Sequence, residues 1–276
     1  MTEKEIWSKI IEEAESLLSS ERLSNSYINK FVKDFDNLSD VIAFKISNDL
    51  ETKNHVDVFS ADVLFLELTK VFKSEEIVNS LVLDLHAVKQ RDPAATGYLS
   101  TLLFSKGFLA LQTHRASNFF LKTKESLMAS YLHSQSSKIY GVDIHPAATI
   151  GVGVMLDHAT GIVIGETSVI EDDVSIFQGV TLGGTGKVTG DRHPKVRKGV
   201  LISAGAKILG NVEIGQGAKV AAGSVVLDNV EMNTTVAGVP AVAVGKPSSD
   251  APAITVDHTI EAVSYTHLRA HETNSH

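Results

Sequence analysis

The chain has 276 residues, a net charge of −8 from 25 Lys and Arg against 33 Asp and Glu, and no cysteine. The acidic balance disfavours a nucleic-acid partner, which needs a basic face, and the missing thiol excludes disulfides, cysteine-ligated metals and thiol nucleophiles. With 43% hydrophobic residues, the composition is that of a soluble globular protein. The first residues lack the order of a signal peptide, and no apolar run approaches the roughly 18 residues of a membrane span. We therefore expect a cytoplasmic protein without a membrane partner.

The first half of the chain is poor in glycine. Of the 20 glycines, only Gly97 and Gly107 precede residue 141. Because glycine weakens helices and supplies tight turns, this asymmetry predicts an all-α domain over residues 1–140 and short strands beyond it. Two apolar stripes at helical spacing agree with that prediction. Their members are Ile6, Ile10, Ala14, Leu17 and Leu18 in the first stripe and Ile77, Leu81, Leu85 and Val88 in the second.

Local signals mark the ends of the predicted helices. Thr2 and Glu5 have the spacing of a capping box at the start of the first stripe. Asp92–Pro93 ends the second stripe, because proline disfavours a helical conformation in the residue before it. The segment Leu99–Tyr140 predicts two further helices with a break near Gly107.

From residue 144 onward, aliphatic or small residues recur every six positions, and a second apolar series follows two residues later. This period predicts a β-solenoid with one short strand and one turn per six residues and three sides per triangular coil. A β-sandwich with accidental spacing is the alternative, which so many positions in phase disfavour. The leading positions are Ile144, Ile150, Leu156, Ile162, Ser168, Val174, Val180, Val200, Ala206, Val212, Ala218, Ser224 and Val230, and the second series is Ile164, Ile170, Ile176, Leu182, Ile202, Ile208, Ile214, Val220, Val226 and Met232.

The period is interrupted after Val180. The next leading place holds Gly186, and the pattern resumes only at Val200. The step from Val180 to Val200 is fourteen positions longer than the regular six, so the sequence predicts an excursion loop of that many extra residues. A long loop that leaves a regular scaffold is typically functional or disordered.

Six short motifs go beyond the repeat. Together they resemble the bacterial serine O-acetyltransferases, members of the hexapeptide-repeat acyltransferase superfamily, over residues 5–248. The resemblance implies an α+β fold, with an α-helical assembly domain over 1–140 and a left-handed parallel β-helix with its excursion loop over 141–248. The motifs are Asp143–Ala148, Leu156–Gly161, Gly183–Pro194, Ala237–Ala241, Ala87–Ala94 and Lys106–Phe108.

The resemblance also implies the reaction. An enzyme of this family moves acetyl from acetyl-CoA to the hydroxyl of L-serine and gives O-acetylserine, the first step of cysteine biosynthesis. L-cysteine is expected to inhibit it from the serine pocket. Acetyl-CoA is a co-substrate in this scheme, and we expect no bound cofactor and no metal.

A hydroxyl that attacks a thioester needs a general base, and imidazole suits that role because it titrates near neutral pH. His158 is the candidate base, against the alternative of an ordinary surface histidine at a coil corner. Asp143 precedes it by slightly less than one coil of three six-residue sides, so it could stack beside His158 and orient the ring. The resemblance implies this dyad; the alternative is an aspartate that makes a turn.

Four residues are candidates for holding the amino acid. The resemblance implies that Asp92 and Asp157 bind the serine ammonium, although an aspartate before proline is also a common helix cap. The resemblance also implies that Arg192 binds the serine carboxylate and that His193 is a further active-site histidine; arginine pairs with carboxylates through two parallel N–H bonds, which suits this role. A solvated loop is the alternative for this Arg-His pair.

The coenzyme A site is inferred from small residues and one lysine. Backbone N–H groups of the glycine pair and threonine after Leu182 could stabilise an oxyanion, and pantetheine is implied to run beside two alanines at the coil edge. Lys219 could meet a phosphate as a point charge, or be a solvated lysine at a corner. Where the family often has a basic residue, this chain has Val242, and Lys246 is a candidate substitute. The implied set is Gly183, Gly184, Thr185, Ala204, Lys219 and Ala222.

The resemblance implies a homo-oligomer, a trimer with its acyl pocket between subunits or a dimer of trimers. Residues 249–276 are expected to form a tail, in which Val263–Thr273 looks like the translation of a sequencing adapter. We therefore exclude 263–276 from the fold. In the family, a natural C-terminal isoleucine inserts into O-acetylserine sulfhydrylase; because this chain ends at His276, we expect that complex to be lost or weak.

Three alternatives stay open. Another hexapeptide O-acetyltransferase, for sugars, antibiotics or homoserine, would share the base histidine without needing Asp92. A γ-type carbonic anhydrase is also a left-handed β-helix, and His145, His158 and His193 are of the type that binds its zinc. A non-catalytic trimeric scaffold would not need the polar residues.

Overall fold

The structure is a computed structural model and describes residues 1–20, 25–51, 59–186 and 189–260. Helices occupy the region up to Tyr140, and short strands begin at Val142. In the described ranges, no helix is both long and apolar enough to cross a membrane. The helices before the strands are α1 (Glu3–Ser20), α2 (Asn25–Ile28), α3 (Leu38–Leu50), α4 (Ala61–Val71), α5 (Glu75–Arg91), α6 (Tyr98–Phe104), α7 (Lys106–Lys122) and α8 (Ser126–Tyr140), with a π-helical segment at Asn29–Lys33.

The capping box predicted at the start of α1 is confirmed. The N–H of Thr2 donates to Glu5 Oε2 at 2.7 Å, and the N–H of Glu5 donates to Thr2 Oγ1 at 3.3 Å. The first apolar stripe is buried as well, since Ile6, Ile10 and Ala14 are fully shielded from solvent. Local signals in the sequence therefore place both the start of α1 and its inner face.

The prediction of two helices over Leu99–Tyr140 is wrong, because this segment contributes to three. The chain breaks at Ser105 and again over Thr123–Glu125, whereas Gly107 lies inside the first turn of α7. Glycine is needed there for packing and not for a turn. A Cβ on Gly107 would lie 2.0 Å from the carbonyl oxygen of Leu156.

The region from Val142 is a solenoid of parallel strands, as predicted. The strands stack in three sheets, one per side of each coil, which we call faces A, B and C. The five strands of face A mark five coils, and β15 pairs antiparallel with β14 at the end of face C. Face A contains β1 (Val142–Ile144), β4 (Ile162–Ile164), β7 (Thr181–Gly183), β10 (Lys207–Leu209) and β13 (Val225–Val226); face B contains β2 (Thr149–Ile150), β5 (Val169–Ile170), β8 (Lys195–Val196) and β11 (Glu213–Ile214); face C contains β3 (Met155–Asp157), β6 (Ser175–Phe177), β9 (Leu201–Ile202), β12 (Lys219–Val220), β14 (Thr235–Gly238) and β15 (Ala241–Gly245).

The two predicted apolar series fill the inside of the solenoid. Nearly all of their members are buried, as Val174 and Leu182 illustrate. Met232 is an exception, with 59% of its surface exposed. The reason is a shorter last coil, in which the step from Val220 to its partner Val236 is two positions short of three six-residue sides. The six-residue period is thus confirmed as the basis of the core.

The strand register corrects the predicted length of the excursion loop. Ile170 pairs with Val196, and Val196 pairs in turn with Ile214. The second step is a regular coil of three six-residue sides, and the first is eight positions longer. The loop therefore adds eight residues to a regular coil, and the predicted fourteen was wrong. The difference arises because β8 is an ordinary side of its coil, whose leading place holds the buried Pro194 instead of an aliphatic residue.

A second insertion, of two residues, was not predicted. Ile144 pairs with Ile164, and Ile164 pairs in turn with Leu182. The second step is again a regular coil, and the first is two positions longer. The step from Leu156 to its partner Ile176 is lengthened by the same amount. The two extra residues therefore lie in the turn between Leu156 and Ile164. As a result, Ile144 and Leu156 of the leading series pair with Ile164 and Ile176 of the second series.

A buried carboxylate holds helices α5 and α7 onto the first coil. Asp84 of α5 is 0% exposed. It accepts hydrogen bonds from Arg115 Nε at 2.8 Å and Gln112 Nε2 at 2.9 Å, both in α7. It also accepts the N–H of Val154 at 3.1 Å, and Arg115 donates to the carbonyl of Gly151 at 2.7 Å. Asp84 thus connects two helices with the solenoid.

His114 of α7 lies near the same junction. It is buried, and no described residue forms a hydrogen bond with its Nδ1. Burial lowers the pKa of His114 to about 3, and the charge of Arg115 lowers it as well. The imidazole is therefore neutral in the folded chain near neutral pH.

We expect His114 to make stability fall with acidity. The pKa of histidine in an unfolded chain is about 6.5, so above that pH the imidazole is neutral in both states. Below it, the unfolded chain binds a proton that the folded chain does not, and the free energy of unfolding falls by up to about 1.4 kcal/mol per pH unit. Between about pH 7.5 and about pH 5, urea unfolding should show the wild-type chain losing about 2 kcal/mol more than His114→Leu. Equal losses in both chains would contradict this account.

The segment after the solenoid folds back over face C. Its short helix α9 (Pro252–Thr255) packs against α5 and β9. The hydroxyl of Ser175 donates to the carbonyl of Ala253 at 2.7 Å, and a proline at the first helical position is typical of a helix start. Residues 261–276, with the adapter-like segment, lie outside the described residues.

Candidate active site

The two-residue insertion carries His158. His158 and Ala159 both have left-handed backbone conformations, with φ of 53° and 57°, which are strained for residues other than glycine. The carboxylate of Asp157 accepts the His158 N–H at 2.8 Å and stabilises the turn. The imidazole is 72% exposed, and its Nε2 lies 3.8 Å from Asp157 Oδ2. A strained turn that presents an exposed imidazole is a candidate ligand site.

Helix α7 packs directly against this turn. Because Gly107 has no side chain, the backbone of Leu156 can approach it closely. A Cβ on Gly107 would also lie 3.0 Å from the Cβ of Ala159. Lys106 Nζ donates to Thr160 Oγ1. The Lys106–Phe108 motif of the helical half thus supports the turn that carries His158.

Asp92 and Asp157 lie close enough for their charges to interact. Asp92 follows α5, and its Oδ1 accepts the N–H of Ala94 at 2.7 Å, so it makes a turn at a helix end and does not cap a helix start. Burial raises the pKa of Asp157 and the charge of Asp92 raises it further, whereas His158 opposes the shift. Two carboxylates that disfavour each other's charge stabilise a cation bound between them.

The excursion loop returns to the scaffold at Thr167. The Thr167 hydroxyl accepts the backbone N–H of Arg192 at 3.0 Å and that of His193 at 3.1 Å. The Arg192 guanidinium donates to Glu166 at 2.7 Å. These contacts bring Arg192 and His193 together at the corner between faces A and B. Glu166 and Thr167 were not predicted from the sequence, where their place in the turn before β5 is the only signal.

His193 is held as a neutral hydrogen-bond donor. Its ring covers Gly165, where a Cβ would lie 2.1 Å from the imidazole. The N–H of Thr167 donates to His193 Nδ1 at 3.1 Å, so in the neutral ring the proton is on Nε2. Burial lowers the pKa of His193, and the charge of Arg192 lowers it too. The Nε2–H is thus available to an anionic or carbonyl oxygen.

The predicted stacking of Asp143 beside His158 is wrong. Asp143 pairs with Val163, which follows His158 in the chain, because the first coil is longer than the assumed three six-residue sides. Its Oδ1 lies 2.6 Å from Nε2 of His133 in α8. In the part of one chain that the structure describes, no hydrogen bond or ion pair joins Asp143 to His158. Their role as a dyad stays a prediction.

The predicted residues therefore form two groups at different corners of the solenoid. The first, which we call the His158 group, lies between faces C and A and consists of Asp92, Asp157 and His158. The second, the Arg192 group, lies between faces A and B and contains Arg192 and His193. Gly184 belongs near the second group, since a Cβ on it would lie 3.4 Å from the Cγ of Arg192. Gly183 ends β7 beside it, followed by Thr185.

The corner of the His158 group continues as a row of glycines. Each has a positive φ, which glycine adopts without strain. They nearly touch: a Cβ on the first would lie 3.6 Å from the Cα of the second. Ala204 and Ala222, predicted for coenzyme A, precede two of them, so short side chains flank those two glycines, whereas Lys207 Nζ donates to the carbonyl of Gly179. The row is Gly161, Gly179, Gly205 and Gly223.

Lys219 is not a solvated lysine. It is 1% exposed, and its Nζ donates to the carbonyl of Thr259 in the segment after the solenoid. The same segment places His258 Nδ1 2.9 Å from the Ser203 hydroxyl and its ring edge-on to Phe177. The charge of His258 also acts on Asp157. His258 was not predicted from the sequence, because no repeat pattern places a residue that follows the solenoid.

The fold and these motifs occur together in one family. Residues 6–113 match the family model for the N-terminal part of serine acetyltransferase, and residues 193–228 match the model for bacterial transferase hexapeptide repeats. The serine acetyltransferase of Salmonella typhimurium is 46% identical over 262 residues, which cover 95% of this chain and 94% of the relative. The chain belongs to the serine acetyltransferase family. It is an acyltransferase, and this membership decides against the carbonic anhydrase and scaffold alternatives.

Solved structures of the serine acetyltransferase family share the whole architecture. That of Vibrio cholerae has a TM-score of 0.90 at 45% identity and covers 94% of this chain and 99% of its own. The Brucella abortus enzyme in complex with coenzyme A has a TM-score of 0.84 at 47% identity, covering 87% and 95%. The soybean enzyme complexed with serine has a TM-score of 0.84 at 44% identity, covering 88% and 98%. A serine acetyltransferase in complex with cysteine has a TM-score of 0.90 at 43% identity, covering 94% and 100%.

Proposed function

We propose that this chain transfers the acetyl group of acetyl-CoA to the hydroxyl of L-serine, with His158 as the general base. One observation carries this assignment: the exposed imidazole of His158 adjoins the carboxylate of Asp157, whose charge interacts in turn with that of Asp92. The arrangement suits a substrate with an ammonium group and a hydroxyl on neighbouring carbons. The similar structures with serine and with coenzyme A support these two substrates.

Arg192 and His193 bind the serine carboxylate in this proposal. Arginine offers two parallel N–H donors to a carboxylate, and the neutral His193 adds its Nε2–H. Glu166 holds the guanidinium in place before the substrate arrives. L-cysteine shares the ammonium and carboxylate of serine, so the same residues would bind it as a competing inhibitor. The similar structure complexed with cysteine supports that expectation.

The two groups of residues would meet when the chain assembles. In one chain they lie at different corners, so a complete site requires a neighbouring copy whose Arg192 group faces the His158 group. We therefore propose a homotrimer about the solenoid axis, with the helical domains joining two trimers. Within the described part of one chain Asp143 does not bond to His158. In the assembled site we propose that it becomes the carboxylate partner of His158. The loss of the O-acetylserine sulfhydrylase complex stays a prediction.

The glycine row offers a track for the pantetheine arm of coenzyme A. An extended chain could lie along this edge beside Ala204 and Ala222, because the side chains of these alanines and of the glycine row are short. The backbone N–H groups of Gly183–Thr185 would stabilise the oxyanion. Lys219 could contact a phosphate only after its ammonium group breaks the hydrogen bond to the carbonyl of Thr259.

Thiol release from acetyl-CoA tests the proposal. The purified chain is offered L-serine, homoserine and a galactoside in turn, and only serine should give rapid release. Added L-cysteine should raise the KM for serine. Release with the galactoside alone would contradict the proposal, and so would stoichiometric zinc in a protein that hydrates carbon dioxide and transfers no acetyl group.

A further inference from the structure

The carboxylate of Asp143 has a partner that the family motifs do not include. His133, ten residues earlier in α8, brings its Nε2 to 2.6 Å from Asp143 Oδ1. An ionised carboxylate only accepts hydrogen bonds, so the Nε2–H of His133 is the donor. The side chain of Asp143 is 47% exposed and that of His133 is 26% exposed. No described residue bonds to the second oxygen of Asp143, so that oxygen is available to another group.

Helix α8 is held firmly where it presents His133. Leu132 and Ser136 on either side are buried. The helix ends at Tyr140, whose hydroxyl donates to Asp49 Oδ2 at 2.9 Å. Gly141 then takes a left-handed conformation, with φ of 69°, and β1 follows at once along the helix. His133 is therefore fixed relative to Asp143 by rigid elements and a one-residue turn.

The surroundings leave His133 free to serve Asp143. The ring of His145 packs against it, with 6.0 Å between ring centroids. That ring does not compete for the carboxylate through Nδ1, since its Nδ1 accepts the N–H of Ala147 at 3.1 Å. The strongest contact of Asp143 is thus the charge-assisted bond from His133.

We propose that His133 is a positioning residue for the acetyl transfer. It holds Asp143 so that the second carboxylate oxygen can bond to the base imidazole and orient it, the role of the aspartate in a Ser-His-Asp triad. Without His133, a half-exposed carboxylate turns between rotamers and spends less time in the productive one. The inference rests on the proposed function, in which Asp143 partners His158.

The variants His133→Leu and His133→Gln, made in the full chain, separate positioning from folding. Leucine and glutamine have similar helix propensities, but only glutamine keeps an N–H donor. We expect His133→Leu to lower kcat about tenfold, the lower end of what loss of such an outer contact costs at a metal ligand. The KM for serine and the thermal midpoint should not change. His133→Gln should stay within about twofold of the wild-type kcat. Ser134→Leu, at an exposed neighbouring position of α8, is the matched control and should have wild-type activity.

A double-variant cycle shows whether His133 acts through Asp143. In an Asp143→Ala background there is no carboxylate to position, so adding His133→Leu should lower kcat no further. A further loss in that background would overturn the inference, and so would an equal loss in His133→Leu and His133→Gln. Wild-type activity in His133→Leu, or in Asp143→Ala alone, would overturn it as well. These outcomes differ from failure of the proposed function, which would appear as wild-type protein without serine-dependent thiol release.

Discussion

Replacing His158 with asparagine should lower serine-dependent thiol release by about 10²–10⁴-fold. The imidazole takes the proton of the serine hydroxyl as its oxygen attacks the thioester, and a neutral amide cannot accept that proton. Asparagine is chosen because the backbone of His158 is left-handed, with φ of 53°. Among residues other than glycine, asparagine adopts that conformation most readily. The measurement is kcat with serine and acetyl-CoA.

Binding and stability measurements show that the loss is chemical. Because 72% of the His158 side chain is exposed, the thermal midpoint of His158→Asn should stay within about 2 °C of the wild type. Coenzyme A should bind with unchanged affinity. A wild-type kcat in this variant would place the base elsewhere, and unfolding would assign His158 a structural role.

Replacing Asp84 with alanine should lower the free energy of unfolding by about 3–5 kcal/mol. The change leaves the guanidinium of Arg115 without its carboxylate in an environment where Asp84 is 0% exposed. It also removes the acceptor for Gln112 and for the N–H of Val154. Buried polar groups that lose their hydrogen-bond partner destabilise the folded state, because water cannot reach them to replace that partner. Urea unfolding followed by circular dichroism measures the loss.

The matched control removes an ion pair on the surface. Glu15 lies 2.7 Å from Lys33, and its side chain is 61% exposed. Glu15→Ala should therefore cost less than about 1 kcal/mol. If the two variants lost similar free energy, the network around Asp84 would not stabilise the junction between the helices and the first coil.

The core of the solenoid was predictable because every coil repeats the same burial. Inward residues must be apolar at each step, so the period survives changes in individual residues. The lengths of the two insertions were harder to predict from the sequence. Ile162 and Ile164 are both buried aliphatic residues, so a shift of two residues keeps an apolar residue at the expected place. The regular side that contains β8 was missed for a different reason. Its leading place holds Pro194, which is buried but is not an aliphatic residue.

The candidate site was predictable as far as short motifs carry it. Residues that act through tertiary contacts were missed, because no local pattern announces them. In the sequence Thr167 is an ordinary turn residue. Only the fold shows that its hydroxyl accepts the backbone N–H of Arg192 in the excursion loop. His133 sits on a helix, and only the fold brings it to Asp143. His258 follows the last repeat and reaches Ser203 and Phe177 because its segment folds back over face C.

Both insertions begin and end on strands that keep their register. In the first four coils, the described strand pairings depart from the regular spacing of three six-residue sides only after Leu156 and after Leu182. One segment carries His158 and the other carries Arg192 and His193. Each can be exchanged while the strands on either side keep their register, provided that the buried Ala159 of the first segment and the buried His193 and Pro194 of the second are kept. Grafting segments of other lengths between Leu156 and Ile164, or between Leu182 and Val196, is thus a route to new acyl acceptors on an unchanged scaffold.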